Sequence, residues 1–264
     1  MVTIVTNCET LYRSLQHLKV RAKQETPFSG GFLIEVPKRN GRYIIWEEDE
    51  ELISSSDAEW VTLYVNELVN FRLARYMKDL VKIHAACGSI HGRRFLVAGD
   101  KGAGKTTLIT RFFFEDVAVH GDERVLLREQ KVIPLPRKFH LKEGTVPLIP
   151  QLVSVWKKLT SYPTSRGVRV CFFDPLDAGL EWQAKWGKAD TIFYLEPNHG
   201  QQTKIEICPK WLMIQKLMVQ SIDFDTNPEA QIADLCKMVN ESDNFMIRIG
   251  DLDGAVRGIK GILS

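Results

Sequence analysis

The feature that most constrains this chain is a glycine-rich segment that follows an apolar run and precedes a stretch with helical spacing. The segment consists of Gly99, Asp100, Lys101, Gly102, Ala103, Gly104, Lys105 and Thr106, and Thr107 follows it. It matches the Gly-x-x-x-x-Gly-Lys-Thr pattern, known as Walker A, which binds nucleotide phosphates where it joins a strand to a helix. Here we predict that a strand ends at Ala98 and that a helix begins at Lys105.

The residue types in this loop explain why we expect it to bind phosphate. Glycines at 99, 102 and 104 let the backbone turn so that successive N–H groups converge on an anion. The start of a helix adds positive dipole character at the same point. We expect Lys105 to reach the β- and γ-phosphates of ATP and the Thr106 hydroxyl to be a ligand of Mg²⁺. Residues 99–107 are therefore the predicted nucleotide-binding residues.

Composition excludes several other classes of protein. The chain has 264 residues with a formal net charge of +2 and no basic run of five or more residues, so nothing favours binding to nucleic acid or to an anionic membrane. It has five cysteines without a Cys-x-x-Cys pair, which argues against a zinc or redox site. No stretch approaches 18 uncharged apolar residues, and residues 1–16 lack the pattern of a signal peptide. These observations predict a cytoplasmic location and no membrane segment.

The sequence pattern of the first third of the chain predicts a small separate domain. Two strand-like runs within 31–46 flank Asn40 and Gly41, a dipeptide typical of a tight hairpin turn. Apolar residues at helical spacing then extend over 58–81. We predict a hairpin-plus-helix N-terminal domain over 1–80 and a second domain over 81–264.

The remainder alternates strand-like and helix-like segments, as expected for an α/β protein. Strands are predicted at 83–90, 94–98, 168–173 and 191–195, a hairpin at 125–133, and helices at 106–114, 211–222, 228–239 and 251–263. Prolines between 134 and 150 make that stretch a poor helix. We expect Phe112, Phe113 and Phe114 to be core residues, and likewise Trp211, Met213 and Met218 on their helix.

The glycine-rich loop alone does not define the reaction. The base-reading motif of GTPases is absent, because its nearest match, at 203–206, ends in Glu206. Residues 170–174 form an apolar run that ends in Asp174, a pattern that fits a metal-binding Walker B strand. The Asp-Pro dipeptide at its end is equally typical of a turn.

The surroundings of the loop resemble the HPr kinase/phosphorylase family. His84 precedes Gly99 by fifteen residues, and an acidic pair, Asp122 and Glu123, begins seventeen residues after Lys105. The resemblance covers residues 80–264, is strongest over 83–126, and extends loosely through 134–142 and 248–252. The family usually has Asp-Asp where this chain has Asp122 and Glu123, and the N-terminal domain of true HPr kinases is not recognisable. The chain is more similar to the shorter relatives found beside biosynthetic genes.

The resemblance implies an α/β fold with a P-loop kinase core of the HPr kinase/phosphoenolpyruvate carboxykinase type, a mixed sheet, and a small N-terminal α+β domain. It implies transfer of the γ-phosphate of ATP to a hydroxyl of a peptide, a protein or a small metabolite. Asp122 is the predicted base, His84 would contact and orient it, and Thr106, Asp122 and Glu123 are the predicted metal-side residues.

Several alternatives stay open from the sequence. Arg137 and Lys142 are either phosphate clamps or part of a basic loop face. The chain could instead be an ATPase or a nucleotide-dependent switch in which Asp174 holds the metal, or a nucleotide-binding partner that has lost turnover. The acceptor and the oligomeric state, including a homo-oligomer, are left open.

Overall fold

The computed structural model describes residues 2–19, 23–24, 31–77, 80–115, 117–135, 137–163, 169–222 and 227–264. Residues 78–79 of the predicted first long helix, Pro136, and Val168 at the start of a predicted strand lie outside the described residues.

The N-terminal part contains six strands and two helices among its described residues. They are β1 (Val2–Val5), α1 (Glu9–Leu15), β2 (Lys23–Gln24), β3 (Phe32–Glu35), β4 (Lys38–Arg39), β5 (Arg42–Glu47), β6 (Glu50–Ser55) and α2 (Ala58–Tyr76). The predicted hairpin turn is confirmed: Asn40 and Gly41 have φ angles of 49° and 78°, as a two-residue primed turn requires. β5 lies at the centre of this sheet, with β3, β4 and β6 all antiparallel to it.

Helix α2 packs against this sheet and ends earlier than its periodicity predicts. The Asp57 side chain caps its start by accepting hydrogen bonds from the backbone N–H groups of Glu59 and Trp60. The helix ends at Tyr76, whereas the sequence predicted helix to residue 81. Val81 begins a buried strand instead, so strand pairing prevails there over helical spacing.

The second part alternates strands and helices. Its elements are β7 (Val81–Ile83), β8 (Ala85–Ile90), β9 (Arg93–Gly99), α3 (Lys105–Phe113), β10 (Ala118–Gly121), β11 (Val125–Arg128), β12 (Lys131–Pro134), β13 (Phe139–Leu141), α4 (Val153–Trp156), β14 (Ser161–Pro163), β15 (Arg169–Phe173), β16 (Gln183–Ala184), β17 (Gly187–Lys188), β18 (Thr191–Pro197), β19 (Lys204–Ile207), α5 (Lys210–Gln220), β20 (Ser221–Ile222), α6 (Pro228–Glu241), β21 (Asp243–Ile249) and α7 (Leu252–Leu263).

A six-stranded mixed sheet in the order β10-β8-β9-β18-β21-β19 forms the centre of this part. β9 runs parallel to β18 and antiparallel to β8. Apolar residues of α3 and α7 pack on one face of the sheet, and those of α5 and α6 pack on the other. The predicted α/β class with a mixed sheet is therefore confirmed, as a three-layer arrangement.

The other strands of this part form a sheet with the order β17-β12-β11-β7-β20 and a sheet with the order β13-β15-β14. In addition, β16 pairs in parallel with β2 of the N-terminal part. The predicted hairpin at 125–133 is confirmed as β11 and β12. Glu129 and Gln130 form its turn with φ angles of 49° and 64°.

Burial along α5 confirms one core prediction and overturns two. Met213 is fully buried, but Trp211 is 65% exposed and Met218 is 37% exposed. The buried stripe of this helix consists of Met213, Leu217 and Gln220, at spacings of four and three, and the two exposed residues lie off that stripe. Phe112 and Phe113 of α3 are buried, and Phe114 packs against the same core, as predicted.

The N-terminal elements have an apolar cluster of their own, built from α1, α2 and the strands between them. The predicted domain division at residue 80 remains a prediction. Within the described part of the chain, no helix combines the length and the apolar character needed to cross a bilayer.

Candidate functional site

The glycine-rich segment forms a tight loop between β9 and α3, as the sequence predicted. Gly104, at the N-cap of α3, has φ 96°, and Gly102 has φ 90°. Both angles belong to the left-handed region that glycine adopts without strain. A Cβ atom on Gly99 would lie 2.7 Å from the carbonyl oxygen of Leu195 on β18, so no larger residue fits where the loop leaves the sheet.

Lys105 is folded back beneath this loop. Its side chain is almost fully buried, and Nζ donates hydrogen bonds to the carbonyl oxygens of Gly99 (2.7 Å) and Asp100 (3.1 Å). Burial lowers the pKa of Lys105, while the carboxylates of Asp122 and Asp100 oppose that shift. Two neutral carbonyl oxygens thus hold the ammonium group at the loop. An anionic oxygen is a stronger hydrogen-bond acceptor and could replace them.

Asp122 meets the start of α3 from the end of β10. The Thr106 hydroxyl donates a hydrogen bond to Asp122 Oδ2 at 2.8 Å. The side chain is 1% exposed, and its other oxygen, Oδ1, is buried without a hydrogen-bond partner. Burial, followed by the charge of Glu123, raises the pKa of Asp122 to about 6. The sequence therefore identified two residues, sixteen apart, whose oxygens lie together in the folded chain.

The carboxylate of Glu123 has different partners. Glu123 Oε2 lies 2.9 Å from Arg137 Nη1 and 3.5 Å from His140 Nδ1. Burial alone would raise the pKa of Glu123, but the charges of Arg137 and His140 outweigh it and hold that pKa below its ordinary value. Arg137, left open by the sequence between a clamp and a basic loop face, is thus paired with an acid at the site.

His84 lies in the break between β7 and β8, with its backbone N–H bonded to the carbonyl oxygen of Gln220. Burial lowers the pKa of His84 to about 4, and the charge of Lys105 acts in the same direction. No hydrogen bond joins the side chains of His84 and Asp122, both of which belong to the described residues. The orienting role of His84 stays a prediction.

A cavity of about 440 Å³ opens over the loop and collects most of these groups. Predicted site residues that line it are His84, Lys101, Gly102, Gly104, Lys105, Thr106, Thr107, Glu123, Arg137 and Lys142. The Thr107 hydroxyl lies 3.2 Å from that of Thr145, which also lines the cavity. Within the loop, Ala103 is buried, whereas Asp100 and Lys101 are exposed.

Sequence reasoning missed the wall of the cavity that α2 of the N-terminal part provides. Leu63, Asn66, Glu67 and Asn70 line it there. Their spacing of three, one and three places them on one face of the helix. This spacing was the available signal, but the apolar positions of α2 had been interpreted only as core.

A hydrogen-bond network that supports the loop was missed as well. Tyr194 Oη donates to Asp100 Oδ1 at 2.8 Å, and Gln220 Nε2 donates to the same oxygen at 2.9 Å. Burial, together with the bond to Asp100, raises the pKa of Tyr194 above its ordinary value. Residues from β18 and α5, about a hundred positions away in sequence, thereby fix the second residue of the loop.

Asp174 lies at the end of β15, which belongs to the three-stranded sheet and does not border β9. Its carboxylate accepts a hydrogen bond from the backbone N–H of Leu176 and caps a short 3-10 turn. This arrangement favours the turn interpretation of Asp174 over the metal-binding one.

The residues at the loop fit a nucleotide-bound Mg²⁺ better than a metal held by protein alone. Over the described residues, no group of three or more His, Cys, Asp or Glu side chains could hold a metal ion. The Thr106 hydroxyl and Asp122 Oδ2 offer two adjacent oxygens. Mg²⁺ is commonly bound by one or two protein oxygens together with substrate phosphates and water. The donor set matches that pattern.

No protein-family model matches the chain, and no curated protein matches its sequence. Among solved structures, it is similar to the "Structure of the Hpr(Ser) kinase/phosphatase from Coxiella burnetii", with a TM-score of 0.32 and 9% identity over 69% of this chain and 93% of that chain. A TM-score and an identity this low do not show a family or a function.

Proposed function

We propose that this chain binds ATP with Mg²⁺ at the glycine-rich loop and transfers the γ-phosphate to a hydroxyl acceptor. The observation that carries the proposal is the contact between Thr106 and Asp122 at the loop, which leaves one buried carboxylate oxygen unpaired. A buried polar atom without a partner is uncommon and points to a missing one. A phosphate-binding loop beside that atom indicates where the partner belongs.

The loop and Lys105 supply the phosphate site. Backbone N–H groups at the start of α3 face an anion favourably because of the helix dipole. Lys105 exchanges its two carbonyl acceptors for phosphate oxygens, which are stronger hydrogen-bond acceptors because they are charged. Mg²⁺, when bound beside Thr106 and Asp122, neutralises phosphate charge.

Asp122 is the base in this proposal. Its unpaired Oδ1 takes the proton of the acceptor hydroxyl. The acceptor oxygen forms a bond to the γ-phosphorus, and the bond from that phosphorus to the bridging oxygen breaks, which leaves its electron pair on ADP. Glu123 stays paired with Arg137 in this scheme and keeps the arginine at the phosphate side of the cavity.

Nucleotide binding is tested by calorimetry with Mg²⁺ and ATP on the wild type and on Lys105→Ala. Loss of a charge-assisted hydrogen bond costs about 1.5–3 kcal/mol, so we expect the dissociation constant to rise about tenfold or more. Lys188→Ala, which changes an exposed lysine paired with Glu241, is the matched control. Equal ATP affinity of Lys105→Ala and wild type would remove the loop from the proposal.

Transfer is tested separately with γ-labelled ATP and a panel of hydroxyl acceptors. Label in an acceptor supports the kinase. Labelled inorganic phosphate as the only product with every acceptor would favour the ATPase alternative instead.

A further inference from the structure

One wall of the cavity comes from a single face of α2. Leu63, Asn66, Glu67 and Asn70 line it, and none of them belongs to the nucleotide site proposed above. Residues 63, 66, 67 and 70 are neighbours on a helix surface. Three of these four side chains are polar, on a helix whose other buried positions pack against the N-terminal sheet.

Asn66 is the unusual member of this wall. Its side chain is 8% exposed, yet Oδ1 is buried and has no hydrogen-bond partner. A buried amide oxygen left unpaired destabilises the free protein. Asn66 also lines the cavity, so rotation of its amide would bring this buried oxygen to a hydrogen-bond donor of an occupant.

The neighbouring polar groups fit the same kind of occupant. The Asn70 side chain is held in place by a hydrogen bond from Nδ2 to the backbone oxygen of Asn66 at 2.9 Å. Glu67 is exposed and adds a carboxylate to the same wall. Arg137 and Lys142, which also line the cavity, suit phosphate, and Arg124 of the same lining donates to the backbone oxygen of Asn70 at 3.3 Å. The hydrogen-bond donors of a phosphate acceptor therefore suit the Asn66 and Glu67 side chains, and phosphate groups suit the cationic side chains of the lining.

The size of the cavity limits the acceptor. Its volume is about 440 Å³, near the lower end of the range of about 300–1,000 Å³ for pockets that hold one drug-sized ligand. The phosphates of a nucleotide share this space. In the proposed reaction, the acceptor occupies the part of this space that the phosphates leave, which favours a small molecule.

We propose that Asn66, with Glu67 and Asn70, forms the acceptor subsite, and that the acceptor is a small metabolite with the reacting hydroxyl and a second donor, hydroxyl or ammonium, paired with Asn66 Oδ1. This inference rests on the proposed phosphotransfer. It commits to a small molecule over a peptide or protein segment.

The first experiment measures binding without turnover. Ligand-observed NMR is recorded on the full chain with serine, ethanolamine, glycerol and inositol as probes, and with a blocked Ala-Ser-Ala peptide for comparison. We expect at least one small probe to bind the wild type and Asn66→Leu to weaken it about tenfold or more. Binding by none of the small probes, or by the peptide alone, would overturn the proposal.

The second experiment separates binding from structure. In transfer assays we expect Asn66→Leu to raise the KM for the small acceptor with kcat and ATP affinity close to wild type. The melting temperature of the nucleotide-free variant should stay equal or rise, because the change removes an unpaired buried oxygen. If Asn66 has only a structural role, the variant would instead have a lower melting temperature and an unchanged KM. That result would contradict the proposal.

Two further variants complete the design. Asn66→Ala removes the same amide and introduces a smaller side chain, so it serves if Asn66→Leu does not fold. It should raise KM as Asn66→Leu does. Asn240→Leu, at an exposed helical asparagine outside the cavity, is the matched control and should leave KM unchanged. If the wild type does not bind ATP, the proposed function fails. If the wild type binds ATP but the Asn66 variants have an unaltered KM for the small acceptor, only the acceptor subsite fails.

Discussion

Asp122 and Glu123 are adjacent in sequence, but their carboxylates face different partners. Asp122 contacts the Thr106 hydroxyl and keeps one buried oxygen free, whereas Glu123 pairs with Arg137. The positive φ of Glu123, 69°, turns the backbone between the two side chains. In the proposed reaction, catalysis therefore depends on which of the two neighbouring acids faces the phosphates of ATP.

Substitution of Asp122 tests this assignment. Asp122→Asn keeps the shape of the side chain and an oxygen beside Thr106 but cannot take a proton, so at saturating Mg²⁺ ATP binding should stay close to wild type while transfer falls about 10²–10⁴-fold. The measurement is a transfer assay at saturating Mg²⁺ beside a binding titration.

Glu123→Gln and His84→Ala serve as comparisons for Asp122→Asn. Both should lower transfer less, because each leaves the proposed base in place. Unchanged transfer by Asp122→Asn would exclude that residue from the mechanism, and a larger loss in Glu123→Gln would move the role of base to Glu123.

At the scale of elements, α5 shows how one helix serves two environments. Its buried stripe packs on the central sheet, and its last residue, Gln220, reaches Asp100 in the glycine-rich loop. Its other face exposes Trp211 and Met218. Position on the helix surface, rather than hydrophobicity, decides which methionine supports the core.

The two methionines of α5 allow a matched test. Met213→Ala should lower the free energy of unfolding by about 2–5 kcal/mol, because it leaves a cavity at a fully buried site. Met218→Ala, at a site that is 37% exposed, should change it by no more than about 0.5 kcal/mol. Urea denaturation measures both values, and equal losses would contradict the burial described here.

At the scale of the whole molecule, the five cysteines report on different parts of the fold. Cys87 on β8 is fully buried, and Cys171 and Cys208 are buried too, whereas Cys8 and Cys236 are partly exposed. Hydrogen bonding to the backbone of Leu11 lowers the pKa of Cys8, and burial raises the pKa of Cys87 to about 12. Thiolate, the reactive form, is therefore favoured at Cys8 and disfavoured at Cys87.

Native-state labelling with a thiol reagent at pH 8 should consequently modify Cys8 and Cys236 quickly and Cys87 only on unfolding. A Cys8→Ser, Cys236→Ser double variant should lack the fast phase, which controls for the assignment. The pKa of Cys87 in the folded chain lies above its unfolded value of about 8.5. The contribution of the neutral thiol to the free energy of unfolding is therefore fully present below about pH 8.5 and is lost as the pH rises toward 12. Fast labelling of Cys87 in the folded chain would contradict its place in the central sheet.

The sequence by itself determined the local features of this protein. The strand, the glycine-rich loop and α3 follow from glycines at 99, 102 and 104 before Lys105, and the Asn40–Gly41 turn follows from residues that accept positive φ. These features depend on backbone sterics within a few residues, so nearby sequence is sufficient to predict them. Spacing also identified Thr106 and Asp122 as candidate partners.

Only the tertiary structure decided which distant residues surround the loop. Asn66 of α2, Tyr194 of β18 and Gln220 of α5 reach the site because packing of whole helices and strands brings them there. The early end of α2 and the exposure of Trp211 have the same cause. Helical periodicity shows which residues share a face, but the element that covers that face depends on long-range packing, which short sequence patterns do not encode.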